Sequence, residues 1–148
     1  MILITAEHLE LIKRHGERTY PEEGCGVLIG RVSGSVKIVE DVHPTENARL
    51  DSRHNRYLIS PDDILRLERQ ARAHQREVIG FFHSHPDHEA TPSHYDRDHA
   101  WPWYSYVIVS IALGKAGDVR SWVLRDDRSR FEPEEIEVAQ AQASASPI

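Results

Sequence analysis

Apolar positions along the chain recur with two periods, and the changes of period mark its elements. In "AEHLELIKRHGERTY", Leu9, Leu11 and Ile12 lie at helical offsets behind Thr5, with Pro21 beyond them, which predicts a capped first helix of about three turns. "CGVLIGRV" and "SVKIVEDV" are β-branched runs on either side of Ser33 and Gly34, the pattern of a hairpin whose more apolar first strand is central. Residues 44–56, "PTENARLDSRHNR", combine turn formers and charge with little periodicity and predict a loop that borders a site. "YLIS" then predicts a short strand. Ser60, Pro61 and Asp63 supply an N-cap, an N1 proline and an N3 carboxylate to a second helix that presents Ile64, Leu67 and Ala71 on one face.

"EVIGFF" predicts a buried strand, and Ser93 with Asp96 three residues on predicts the start of a short third helix. "SYVIVSIAL" and "VRSWVLRD" flank "GKAGD" as a second hairpin. This order predicts an α/β fold: a mixed, largely antiparallel sheet flanked by helices in an αβα arrangement. Residues 1–138 are expected to form a single domain, and "AQAQASASPI", residues 139–148, a flexible C-terminal tail.

Composition narrows the chemistry. The chain has 148 residues and a formal charge of −6, which disfavours nucleic acid as a partner because no excess of cations can displace phosphate counterions. Cys25 is the only cysteine, so a metal site must be built from histidine and carboxylate. The N-terminal stretch lacks the layout of a leader, and no segment approaches the ~18 apolar residues of a membrane span, so a cytoplasmic protein without membrane contact is expected.

One constellation stands out, "HSHPDHEATPSHYD" at 83–96. On a strand, His83 and His85 point the same way with Cα atoms about 7 Å apart, which suits two imidazoles converging on one ion. Asp96, in the first turn of the third helix, is the candidate third donor, although Ser93 and Asp96 also read as a plain capping box. An H-x-H pair is expected roughly 0.7 times in so histidine-rich a chain, whereas the pair with Ser at +8 and Asp at +11 is expected only ~0.004 times. The whole pattern therefore carries information that its parts do not. A base is also needed, and Glu22 or Glu23, just before the first central strand, can supply it.

With these residues the chain resembles the JAMM, or MPN-plus, metallopeptidases of the compact prokaryotic type. Their signature is an upstream glutamate, then H-x-H, seven residues, S, two residues, D. "YPEEGCGVLIG" is similar to a second family segment, and the resemblance covers roughly residues 1–138. It implies an MPN, cytidine-deaminase-like fold, with one Zn2+ per chain on His83, His85 and Asp96. It further implies Glu23 rather than Glu22 as the base, and Ser93 holding the oxyanion. The implied activity is hydrolysis of peptide or isopeptide bonds at the extended C-terminal tail of a ubiquitin-like or sulfur-carrier protein, laid beside the active-site strand. No insertion of the size that grips ubiquitin separates "SHYDRDHAWPW" from the next strand.

Two rival readings are weaker. An inactive MPN scaffold has no need of a base opposite a chelating pair, and all five polar positions are present. A zinc nucleobase deaminase needs P-C-x-x-C, which one cysteine cannot supply, and no H-E-x-x-H occurs. His88, His94 and His99 are expected to face solvent, Cys25 to fill core space, and Trp101, Trp103 and Tyr104 to pack.

Overall fold

A computed structural model of the chain describes residues 1–139. Strand β1 (Ile2–Thr5) leads into helix α1 (Ala6–Thr19), where the Thr5 side chain accepts the His8 amide at 3.0 Å and so caps the helix as its sequence predicts. The hairpin β2 (Cys25–Ser33) and β3 (Val36–Thr45) follows, then α2 (Pro61–Ala73), β4 (Glu77–Pro86) and the short α3 (His94–Asp98). Strands β5 (Ser105–Ala112), β6 (Lys115–Leu124), β7 (Phe131–Glu134) and β8 (Ile136–Ala139) complete the described chain.

The eight strands form one mixed sheet in the order β7-β6-β5-β4-β2-β3-β1-β8. Because β2 and β4 sit centrally, their side chains are buried on both faces and divide the core in two. Ile12 of α1 packs with Leu28, Ile79, Phe82, Val109 and Ile111 on one face. Leu67 and Ala71 of α2 pack with Cys25, Val27, Val78 and Phe81 on the other, giving the αβα arrangement. Phe82 is fully buried, a contribution of about 1.5–3 kcal/mol. It can lie flat against β2 only because residue 26 is glycine, where any Cβ would strike the ring.

Three expectations need correction, and three strands were not foreseen. Tyr57–Ser60 is not a strand: its backbone pairs with the preceding loop through the Ala48 amide to the Leu58 carbonyl at 2.8 Å, and it docks on the sheet by alternate side chains, which mimics strand periodicity. The second hairpin turns on Leu113 and Gly114, both with positive φ, a two-residue link that matches strand twist, so most of "GKAGD" lies in β6. β1, β7 and β8 carry too few residues to show a period. Ala139, assigned above to the tail, ends β8, and the rest of that tail lies outside the described residues.

β7 and β8 are separated by a single residue yet occupy opposite ends of the sheet order. The first pairs with β6 and the second with β1, so one continuous segment joins both edges. A buried polar knot marks the seam. Glu134 accepts hydrogen bonds from the hydroxyls of Ser105 at 2.6 Å and Ser121 at 2.7 Å, and the Lys37 ammonium lies 3.9 Å from its other oxygen.

Candidate metal centre and active-site cleft

His83 and His85 lie on the last residues of β4, which is held between β2 and β5, so strand alternation turns both rings to one face. Ser84 turns to the other, beside Gly16 of α1. Across the 87–93 loop, the Ser93 hydroxyl accepts the Asp96 amide at 3.0 Å while Asp96 Oδ2 accepts the Ser93 amide at 2.9 Å. The capping box thus forms, and the same Oδ2 faces both imidazoles. Helix capping and ligand presentation are one arrangement here.

Three donor atoms meet at nearly equal spacing. His83 Nε2 and His85 Nε2 are 3.1 Å apart, and Asp96 Oδ2 is 3.2 Å from the first and 3.1 Å from the second. A tetrahedral zinc with bonds of about 2.0–2.1 Å has ligand–ligand edges of roughly 3.3 Å, so the triangle fits such an ion with little movement. His85 Nδ1 lies 2.8 Å from the Glu89 carbonyl oxygen, a contact that fixes the tautomer and leaves Nε2 free as a donor to metal. Tyr57 stacks on His83 with centroids 4.4 Å apart. All three donors are buried, and among the described residues no other group of three such side chains converges in this way.

Electrostatics agree with the geometry. Burial lowers the pKa of His83 and favours the neutral ring that a ligand needs. Burial works the other way on Asp96, but the two imidazoles facing it and the Ser93 amide that donates to its Oδ2 outweigh burial, holding the carboxyl well below the usual range. Glu23 is 4% exposed and Glu22 is exposed, which separates two residues that sequence alone left open. Burial, and then the Asp96 charge, push Glu23 up to about 9, and its Oε1 has no hydrogen-bond partner. A buried carboxyl raised by burial and by a neighbouring carboxylate is a situation that a divalent cation relieves.

Glu23 shares an open cleft of about 680 Å³ with His85, Ser93, Tyr95, Arg56 and Asp87. Its position is set by its main chain: its amide donates to the Arg53 carbonyl at 2.6 Å, and the next residue, Gly24, donates to the Ser84 hydroxyl at 2.8 Å. Asn47 saturates its amide by donating to the carbonyls of Glu23 and Arg56 and accepting from the amides of Arg49 and Leu58. Ser84, Asn47 and Tyr57 are supporting residues that sequence reasoning missed. Only the aperiodic, turn-rich composition of 44–56 pointed to a loop beside a site. Asn47→Ala is expected to lower stability by about 1 kcal/mol in urea unfolding, since four main-chain groups, two of them partly buried, lose their bonds together. An unshifted midpoint would mean that the loop holds itself.

Other predicted residues stand outside the donor triangle, although His88 and His94 line the same cleft. His88, His94 and His99 are exposed, and Cys25 is fully buried with its thiol pushed up to about 11, chiefly by burial. Trp101, expected to pack, is instead 65% exposed at the rim of a second, apolar cavity of about 200 Å³ that reaches Asp96.

A His-His-Asp triangle that could hold a metal ion, with an unpartnered carboxyl in the adjoining cleft, sits here in a fold of the JAB/MPN class. The chain belongs to the prokaryotic homologs of the JAB domain, whose family pattern matches residues 5–125, and within them to the compact JAMM/MPN type. A desampylase of Haloferax volcanii is 34% identical over 91 residues, which are 61% of this chain and 63% of that protein's length. A CysO-cysteine peptidase of Mycobacterium tuberculosis is 28% identical over 134 residues, covering 90% of this chain and 89% of that one. The solution structure of a Desulfitobacterium hafniense protein superposes with a TM-score of 0.82 at 32% identity, covering 95% and 94% of the two chains. A JAB1/MPN domain protein from Archaeoglobus fulgidus shares the fold, with a TM-score of 0.58 at 17% identity over 94% of this chain and 97% of that one.

Proposed function

We propose that the chain is a zinc-dependent peptidase or isopeptidase acting at the C-terminal tail of a small ubiquitin-like or sulfur-carrier protein. The observation that carries this reading is the equilateral His83, His85, Asp96 triangle beside a buried Glu23 that no protein group satisfies. The named activities of the desampylase and the CysO-cysteine peptidase support a hydrolytic role.

His83, His85 and Asp96 would hold a zinc ion, whose Lewis acidity would lower the pKa of a bound water to about 7. Glu23 takes the proton from the attacking water and returns it to the departing amine, so the C–N bond breaks to give a carboxylate and an amine. Ser93 accepts at its oxygen from the Asp96 amide, which leaves its O–H to donate to the developing oxyanion. β4 pairs with β5 as far as Pro86 but with β2 only as far as His83, so the site lies where one side of the strand leaves its partner. The tail lies in extended form at the C-terminal end of β4, within the cleft that Glu23, His85 and Ser93 line.

The test is to incubate the zinc-loaded chain, with and without a chelator, with ubiquitin-like carriers bearing C-terminal extensions and to weigh the products. Loss of the extension only where metal is present is expected. Intact carriers throughout would overturn the reading.

A further inference from the structure

Arg56 is the one arginine lining the cleft that holds Glu23, His85 and Ser93, and among the described residues it has no carboxylate partner. Its neighbour Arg49 is spent, donating to Asp51 at 2.8 Å and to the Tyr95 hydroxyl at 3.1 Å, and Arg53 donates to the Arg49 carbonyl. Arg56 is nonetheless held. Its carbonyl accepts Asn47 Nδ2 at 2.9 Å, and its guanidinium lies 4.8 Å over the ring of Tyr95. Tyr95 in turn stacks on His99 with centroids 3.9 Å apart and directly precedes Asp96.

A guanidinium resting face-down on an aromatic ring keeps its N–H edges free, and those edges match a carboxylate in two parallel hydrogen bonds. Glu23, Asp87 and Glu89 line the same cleft with acids, and Arg56 is the one lysine or arginine among its lining residues, which otherwise offer histidine, Asn55, Thr91 and Ser93. These acids repel an anionic substrate group and Arg56 attracts it, so this position bears on the substrate's orientation as well as its affinity.

We propose that Arg56 is a specificity-determining residue that receives a substrate carboxylate close to the scissile bond. The inference rests on the peptidase reading above. Two sources can supply that group: the free α-carboxylate of the residue released, or an acidic side chain in the tail. The first would make the chain a trimmer of single C-terminal residues.

The experiment uses the zinc-loaded chain and ten-residue peptides ending Gly-Gly-X. One arm compares X as free acid with X as amide; the other compares aspartate with asparagine at X, both amidated. In at least one arm the carboxylate form is expected to be cleaved with about 10-fold or higher kcat/KM, carried by KM. R56Q should collapse that ratio to near 1, and R56K, a point charge without the fork, should restore part of it. A ratio that R56Q leaves unchanged, or indifference in both arms, overturns the proposal.

Calorimetric binding of the same peptides to zinc-loaded E23Q, with and without R56Q, separates the two readings. Carboxylate-selective binding that needs Arg56 sustains the proposal even if no peptide is cleaved. Binding without that selectivity removes it even if cleavage is observed.

Discussion

Replacing Glu23 by glutamine is expected to cut turnover by about 10²–10⁴-fold while zinc stays bound, the span typical of removing a general acid–base group. The substitution is clean for a structural reason. The contacts that hold residue 23 run through its main chain, the amide to Arg53 and the carbonyl from Asn47, so they survive the change. The carboxyl has no hydrogen bond at Oε1 to lose, and it is not among the three converging donors. Activity on an extended carrier, zinc content by atomic emission and the unfolding midpoint should be read on the same preparation. Near-normal turnover with the metal in place would remove Glu23 as the base.

Asp96→Ala should act on the metal first. One donor of three disappears, and the loss in zinc affinity should exceed the 10–100-fold that altering a supporting residue costs. The same change strips the Ser93 amide of its acceptor and removes about 1 kcal/mol from the start of α3. Asp96→Asn separates these effects, because an amide oxygen still accepts from Ser93 while the charge is gone. Both variants should purify with sub-stoichiometric zinc, and the rise in unfolding temperature that added zinc gives the parent chain should vanish. Zinc content equal to the parent's would take Asp96 out of the ligand set.

The convergence of His83, His85 and Asp96 was legible because their pattern is local. His83, His85 and Asp96 fall within fourteen residues, on a strand end and a helix start that each announce themselves by alternation and by capping. Glu23 lies sixty residues earlier, beside another glutamate, and only burial tells the two apart. The supporting residues were hidden for a different reason. Asn47 acts through four hydrogen bonds to main chain, and a side chain used in that way leaves no period. Tyr57 stacks on His83 from a segment whose docking imitates a strand, so the pattern of "YLIS" was real but its cause was misread. β7, interrupted by Pro133, and β8 gave no run long enough to read.

That unread segment has a consequence beyond the cleft. Because Phe131–Ala139 covers β6 with one half and β1 with the other, lifting it away would bare two rows of backbone donors and acceptors in a single event. Lys37 and the two serines would be stranded at the same moment, without the carboxylate they share. Such a species invites strand exchange between copies and fibrous assembly, so this short stretch guards the molecule's solubility.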